Sequence, residues 1–290
     1  SWLECLPVTQ EVASSSLVRT LPNGVTTDWD YDVRDRVVAI THRDAVGTVL
    51  SSRTYTRSLS GEPTVITNED GSRVEIDYDA AWRIDAERYY DSGGTLVETI
   101  DYGYDLDGNR TSRVTNAGAE TYAHVVGYKL DSVTGGAAAG SFGYDGAGRV
   151  TSLTRSATNL SITYDSDDQI LSASDSVSEE SATYSYDGMD RRVGASDSAG
   201  SREYLVAPNF GSELESPQAV LDAATGHLAS TFVYAGEHAV MRIDVAGNPV
   251  YYLRDAMGSV IGLADGTGVE VAAFEYDAFG NERSVSGALV

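Results

Sequence analysis

The sequence has one lysine (Lys129), one cysteine (Cys5), 6 prolines and no long apolar run among its 290 residues. A lone cysteine excludes an internal disulfide framework and a zinc site built from clustered cysteines. No segment approaches the ~20 apolar residues that cross a membrane as a helix, so no membrane span is expected. The first residues, SWLECLPVTQ, have neither an initiator methionine nor signal-peptide features, which predicts a piece of a longer polypeptide.

Positive charge is scarce as well. The 44 acidic residues outnumber the 20 basic ones, which gives a net charge of −24. A field of this sign repels phosphate backbones, so no nucleic-acid partner is expected. The ordinary role of such acidity is to keep a solvated surface soluble.

The sequence contains an internal repeat. The dipeptide Tyr-Asp opens eight similar heptapeptides, among them YDGAGRV at 144–150 and YDSDDQI at 164–170. A repeat of this kind indicates that the fold is built from one recurring supersecondary unit. The tyrosines are Tyr31, Tyr78, Tyr90, Tyr104, Tyr144, Tyr164, Tyr186 and Tyr276.

Each heptapeptide predicts a strand end followed by a tight turn. The fifth position holds Gly or Asp in seven of eight copies, and these residues adopt a left-handed conformation at low cost. The Asp after each Tyr can accept a hydrogen bond from the backbone two residues later, as in an Asx-turn. Trp82 is the exception at the fifth position, and its bulk predicts a different turn with negative φ.

Other segments support an all-β chain. A second class of turn is predicted at 44–47, 69–72, 116–118, 197–200, 244–247 and 265–268, and the segments between turns alternate apolar and polar residues. With degenerate copies at Tyr55 and Tyr128, the repeat advances about 24 residues, which fits a hairpin. We therefore predict at least ten strands, mostly antiparallel, with the Tyr-Asp turns stacked along one rim. The alternative architecture is a β-propeller, whose blades of about 40–45 residues fit this step less well.

The motif Y-D-x-x-G-R-[VLI] resembles that of the YD-repeat, or Rhs (rearrangement hotspot), family. Residues 144–150 are the clearest copy, and residues 251–281 resemble the Rhs-associated core. The resemblance covers roughly residues 28–282. It implies three parts: a lead-in segment at 1–27, a repeat sheet at 28–200 and a core-like end at 201–290.

The resemblance also implies a function. Family members form an antiparallel hairpin sheet that curves into the wall of a hollow shell, which encloses a C-terminal toxic domain in bacterial toxins and serves cell-surface adhesion in animal teneurins. The expected function is a segment of such a shell, from a secreted or cell-surface protein. The alternative is an extracellular adhesion or filament module that contacts proteins or glycans. Expected partners are the rest of a longer chain or identical subunits, and an enclosed cargo. The chain has no Asp-Pro, so the family's D-P-x-G self-cleavage motif is not present.

The recurring residues predict architecture rather than catalysis. No P-loop, metalloprotease or nucleophile-elbow motif is found, so no enzyme activity is expected. A structural role in the repeat is assigned to Tyr31, Asp32, Tyr78, Asp79, Tyr104, Asp105, Gly108, Tyr144, Asp145, Gly148, Arg149, Tyr164, Asp165, Tyr186, Asp187, Tyr276, Asp277 and Gly280.

Calcium is the one cofactor for which the sequence contains candidate ligands. Asp105, Asp107 and Asn109 resemble the opening of a calcium loop, although Asn116 stands where a bidentate acid is needed. The residues Asp28, Asp30 and Asp32 alternate, so on a strand they would share one face. The expectation is that no cofactor binds, with these six residues as the weak calcium candidates.

Overall fold

The computed structural model describes residues 10–13, 16–209 and 214–287. Within these residues the chain consists of 26 strands and no helix, which confirms the all-β prediction. The first thirteen strands are β1 (Gln10–Ala13), β2 (Ser16–Thr20), β3 (Thr26–Tyr31), β4 (Val37–Arg43), β5 (Val49–Arg57), β6 (Pro63–Asn68), β7 (Arg73–Tyr78), β8 (Ile84–Tyr90), β9 (Leu96–Tyr104), β10 (Arg110–Thr115), β11 (Gly118–Val125), β12 (Lys129–Thr134) and β13 (Gly140–Tyr144). The others are β14 (Val150–Arg155), β15 (Thr158–Tyr164), β16 (Ile170–Asp175), β17 (Ser181–Tyr186), β18 (Arg192–Asp197), β19 (Gly200–Pro208), β20 (Glu215–Asp222), β21 (Leu228–Ala235), β22 (His238–Asp244), β23 (Pro249–Arg254), β24 (Val260–Ala264), β25 (Glu270–Tyr276) and β26 (Glu282–Gly287).

The strands belong to two compact units. The first unit combines residues 1–99 with residues 233–290, and the second comprises residues 100–232. The three parts that the sequence suggested, at 1–27, 28–200 and 201–290, stay a prediction. Residues 16–27 of the expected lead-in supply β2 and the start of β3 within the sheet, while residues 1–9, 14 and 15 lie outside the described residues.

The first unit has a core drawn from both of its segments. Strands β1 to β8 pair in succession, and strands β22 to β26 do the same, all antiparallel. The apolar side chains of the two segments pack against each other, because a strand with one apolar face is stabilised when that face is covered. The buried cluster consists of Leu21, Val25, Val240, Met241, Tyr251, Leu253 and Ala264.

The second unit is an uninterrupted antiparallel meander. Each strand from β9 to β21 pairs with the next along the chain. A propeller would divide these strands into separate blades, so the propeller alternative does not apply. Apolar and polar residues alternate between the two faces of the sheet. Leu153 pairs with Leu160 on one face, and Ser152 pairs with Ser161 on the other.

Candidate functional site

The recurring turns lie at the edges of the sheets. In an antiparallel meander every second connection falls at the same edge, here called the Tyr-Asp rim of each unit. Seven of the eight Tyr-Asp turns join an odd-numbered strand to the following even-numbered one. The eighth, at Tyr90 and Asp91, joins β8 to β9 and therefore lies at the opposite edge.

The turn itself is a three-residue hairpin loop built around the Asp. The backbone N–H of Asp145 donates to the carbonyl of Arg149 at 3.0 Å, and that of Gly148 donates to the carbonyl of Asp145 at 3.0 Å. Oδ1 of Asp145 accepts the N–H groups of Ala147 at 2.9 Å and Arg149 at 3.0 Å. This is a type I turn followed by a left-handed residue. The same carboxylate pattern occurs in all eight copies.

The sixth position of the repeat completes the turn. Nε of Arg149 donates to Oδ2 of Asp145 at 2.6 Å, and Nδ2 of Asn281 donates to Oδ2 of Asp277 at 2.8 Å. The hydrogen bond from Arg36 is the largest cause that lowers the pKa of Asp32 to about 2. The sequence contained this signal, since six of eight copies have Arg or Asn at the sixth position, yet Arg149 was the only one of them assigned a structural role from sequence.

The prediction for Trp82 is wrong. Its φ is +61°, close to the values of Asp35, Asp168 and Asp190 at the same position. The backbone N–H of Trp82 donates to the carbonyl of Asp79 at 3.0 Å, as Gly148 does in its own turn. The turn therefore imposes a conformation that costs a non-glycine residue roughly 1–2 kcal/mol. The indole is 56% exposed, so its bulk meets no steric barrier.

Several turns of the second class have the same backbone hydrogen bonds as the Tyr-Asp turns. The turns at Asp44, Asp244 and Asp265 have the same pair of backbone hydrogen bonds as the Tyr-Asp turns, and so does a further turn at Asp255. By contrast, Gly118 pairs with Thr115 and Gly200 pairs with Asp197, which makes those two loops tight two-residue connections. The shared turn therefore does not need the preceding Tyr. Asp-x-x-Gly alone does not encode it either, because residues 197–200 have this pattern and form a two-residue loop.

The hydroxyls of four repeat tyrosines connect their hairpins to the preceding one. Tyr144 donates to the carbonyl of Leu130 at 2.7 Å, and Tyr164 donates to that of Val150 at 2.7 Å. Tyr78 and Tyr186 make the same kind of contact. A β-bulge immediately before the Tyr turns its side chain into this position, as between Gly143 and Tyr144.

Arginines extend these links from turn to turn. Nη1 of Arg149 reaches the carbonyl of Asp165 at 3.1 Å and the carboxylate of Asp168 at 2.7 Å, both in the next turn. Its guanidinium also lies 4.7 Å from the ring centre of Tyr164, within the range of a cation–π contact. The degenerate copies differ: Tyr55 lies within β5, and Tyr128 lies in a turn with its side chain 67% exposed.

A buried polar seam joins the two segments of the first unit. His42 is 1% exposed; its Nδ1 lies 2.9 Å from Oγ1 of Thr27, and its Nε2 lies 3.0 Å from the carbonyl of Arg254. A carbonyl only accepts, so Nε2 carries the proton and Nδ1 accepts from Thr27. Burial lowers the pKa of His42 to about 4, so the ring is neutral at pH 7. The seam continues where the hydroxyl of Tyr55 accepts the backbone N–H of Ala256 at 3.1 Å.

Two further contacts extend the seam. Nδ2 of Asn23 donates to the carbonyl of Asp265 at 2.9 Å. Glu87 is 1% exposed, and its Oε2 accepts the backbone N–H of Ala278 at 3.0 Å and the hydroxyl of Tyr89. Burial and the Glu87 carboxylate raise the pKa of Tyr89. No pattern in the sequence predicted the seam.

Arg283 lies beside this last contact. Its guanidinium lies 3.4 Å from the ring centre of Tyr89, and its Nη1 lies 2.6 Å from Oε2 of Glu98. A cation held between an aromatic ring and a carboxylate stabilises the neighbouring buried acid. Seam residues therefore come from strands and turns in both segments of the first unit.

The calcium candidates do not form one site in the described residues. Asp105 directs Oδ1 to the N–H groups of Asp107 and Asn109, and Oδ2 to the side-chain amide of Asn109. A β-bulge between Asp30 and Tyr31 interrupts the alternation, so Asp32 lies in the turn and not on the face expected for it. Asp28 lies 3.5 Å from Arg43. No group of three or more acidic, His or Cys side chains able to hold a metal occurs among the residues described.

Fold and turns together define a YD-repeat shell protein. A family model described as Teneurin YD-shell matches residues 83–287, more than half of the chain. The chain belongs to this family, which confirms the resemblance seen in the sequence.

The chain is also similar to solved structures. The crystal structure of TcdB2-TccC3 is 15% identical, with a TM-score of 0.46 over 93% of this chain and 18% of that chain. A TcdB2-TccC3 structure without the hypervariable C-terminal region is 14% identical, with a TM-score of 0.39 over 91% of this chain and 18% of that one. A porin-like protein from Bacteroides uniformis ATCC 8492 is 13% identical, with a TM-score of 0.29 over 71% of this chain and 90% of that one. This chain thus spans about a fifth of the TcdB2-TccC3 chains, and among curated proteins no match is found.

Across the described residues, no helix has the length and apolar character needed to cross a bilayer.

Proposed function

We propose that this chain is a wall segment of a hollow shell that encloses a C-terminal cargo in a secreted or injected toxin. Membership of the Teneurin YD-shell family supports a structural role. The observation that carries the proposal is the seam, since it fastens the beginning of the repeat sheet to its core-like end through buried side chains such as Glu87, which accepts the N–H of Ala278. A wall that encloses a cargo needs such a closure, because an open sheet leaves both of its ends accessible.

The hydrogen bonds of the repeat residues support the proposed role in a wall. Each Asp of the Tyr-Asp turns accepts hydrogen bonds from its own turn, and Tyr144 and Tyr164 bind the preceding hairpin. A unit that contacts mainly its neighbours extends by adding copies, as solenoid proteins do. The net charge of −24 keeps a large assembly of this kind soluble.

Limited proteolysis of the full-length gene product tests the proposal. The segment that follows this chain should resist protease in the intact protein and become sensitive once mild denaturant opens the shell. Digestion of that segment at the rate of free peptide would contradict encapsulation. The control is the same segment expressed alone, which should be digested at once.

An extracellular adhesion or filament module is the second candidate. The description of the matching family, which names teneurin, favours this alternative. In that case the full-length protein carries a surface anchor, and intact cells that express it should bind partner cells or glycans. Protease protection of a downstream segment together with the absence of cell binding would favour the cargo-enclosing shell over the adhesion module.

A further inference from the structure

Three exposed apolar side chains stand on successive turns of the Tyr-Asp rim of the first unit. Val33 is 102% exposed, Leu59 is 87% exposed and Trp82 is 56% exposed. They belong to the connections β3–β4, β5–β6 and β7–β8, which follow one another along the same edge. We call Val33, Leu59 and Trp82 the turn-tip row.

Folding does not account for Trp82. A left-handed backbone favours Gly, Asn or Asp, and the other seven Tyr-Asp copies have Gly or Asp at this position. Trp82 therefore adds strain, while 56% of the residue remains exposed to solvent. Strained residues that persist in a fold point to function, and Trp is enriched among the residues that dominate protein interfaces.

The row is held rigid by its own turns. Nη1 of Arg34 donates to the carbonyl of Leu59 at 2.7 Å, which fixes the first two turns against each other. The hydroxyl of Tyr78 donates to the carbonyl of Pro63 at 2.9 Å, which fixes the third turn to the second. An apolar row that is ordered before binding loses little entropy when a partner covers it.

The charge around the row permits contact with another copy. Residues 31–37 contain two Asp and two Arg, residues 57–63 one Glu and one Arg, and residues 78–84 one Asp and one Arg. Each turn is therefore neutral, whereas the whole chain has a charge of −24. Two copies repel each other over most of their surface, and this rim is a place where they approach without that penalty.

The spacing of the row fits the same rim of a second copy. Successive turns on one rim are two strands apart, or roughly 9–10 Å at the spacing of neighbouring strands. The rim of another YD-repeat sheet has the same spacing. The side chains at its turns can therefore pack between successive turns of this rim. We infer that the turn-tip row binds the same row of a second copy of this chain in a two-fold symmetric pair. This contact goes beyond the proposed function, because it does not depend on whether the wall encloses a cargo.

Sedimentation velocity at increasing protein concentration tests the inference. The wild-type chain should form a dimer. Trp82→Asp and Leu59→Asp should each raise the dissociation constant of this dimer at least ~10-fold. Val46→Asp is the matched control, because Val46 is 87% exposed in a turn at the opposite edge, and it should leave the dimer intact. A wild-type chain that stays monomeric, or a Val46→Asp variant that dissociates as readily as Trp82→Asp, would overturn the inference.

Trp82→Gly separates binding from folding. Glycine relieves the left-handed strain, so the thermal midpoint should stay level or rise by about 2 °C while the dimer dissociates. A variant that is more stable and no longer dimerises cannot be explained by misfolding. A Trp82→Gly variant that dimerises as tightly as the wild type would refute the role of Trp82 at the interface.

Discussion

Oε2 of Glu87 accepts the backbone N–H of Ala278 at 3.0 Å, across 191 positions of the chain. Ala278 is the first residue after Asp277 in the last Tyr-Asp turn, so a side chain from β8 holds a turn near the C-terminal end of the repeat. A buried carboxylate is costly unless it is fully hydrogen-bonded, and Tyr89 supplies a second donor. The two ends of the repeat sheet are thus joined by an interaction that neither end can satisfy alone.

Removal of the Glu87 carboxylate should destabilise the protein. Glu87→Ala leaves the hydroxyl of Tyr89 and the amide of Ala278 without this acceptor. The free energy of unfolding should therefore fall by about 2–4 kcal/mol. Glu75→Ala is the control, because Glu75 forms a half-exposed ion pair with Arg73 and should change stability by no more than about 0.5 kcal/mol. Urea unfolding of both variants measures the difference. Equal effects would mean that Glu87 does not hold the seam.

The buried His42 should make stability depend on pH. Burial lowers its pKa to about 4 in the folded state, against 6.5 for the exposed group, with Arg19 and Arg53 adding to the shift. The unfolded chain takes up the proton first, so the free energy of unfolding should fall as the pH decreases from about 6.5 to about 4. His42→Gln removes the titrating ring and should flatten the profile in this window. A wild-type profile without a slope there would refute a buried neutral His42.

The left-handed position of the turn should tolerate glycine best. Gly148 has a φ of +88°, so Gly148→Val should lower stability by roughly 1–2 kcal/mol. Gly146 lies in the same turn without positive φ, and open space surrounds the point where a Cβ would lie, so Gly146→Ala should be neutral or slightly stabilising. Thermal unfolding of the pair checks the prediction. If Gly148→Val is as stable as the wild type, the shared turn geometry is not the constraint on sequence that we describe.

Calcium should not affect stability. Three hydrogen bonds within its own turn already occupy the carboxylate of Asp105. Addition of a chelator such as EDTA, or of calcium at millimolar concentration, should therefore leave the thermal midpoint unchanged. A calcium-dependent rise of several degrees, abolished by Asp105→Asn, would establish a site in that turn.

The hairpins and their turns were accessible from sequence because they are local. The Tyr-Asp spacing and the period-two alternation predicted the antiparallel sheet, and the Asp after each Tyr predicted the Asx-type turn. Trp82 shows the limit of local propensity, since the hydrogen bonds of the turn override the preference of the residue for negative φ. Tyr90 matches the motif but lies at the other edge, because strand order rather than the motif decides the edge.

The seam was not predictable in the same way. Glu87 and Ala278, or His42 and Arg254, have no sequence pattern in common, and their contact depends on how two distant segments pack. A lone histidine or glutamate in a strand resembles any other half-buried residue until the opposite layer is known. Family resemblance indicates a core-like C-terminal end, yet it does not state which N-terminal residues cover that end.

Hydrogen exchange at the amide of Ala278 tests most directly whether the two ends of the repeat sheet are joined. Ala80 is the internal reference, because it holds the same position after Tyr78-Asp79 in an exposed turn. The account predicts that the amide of Ala278 exchanges at least ~100-fold more slowly than that of Ala80, and that Glu87→Ala abolishes the difference. Equal exchange at the two amides in the wild-type protein would contradict the seam, which is the observation that carries the proposed wall.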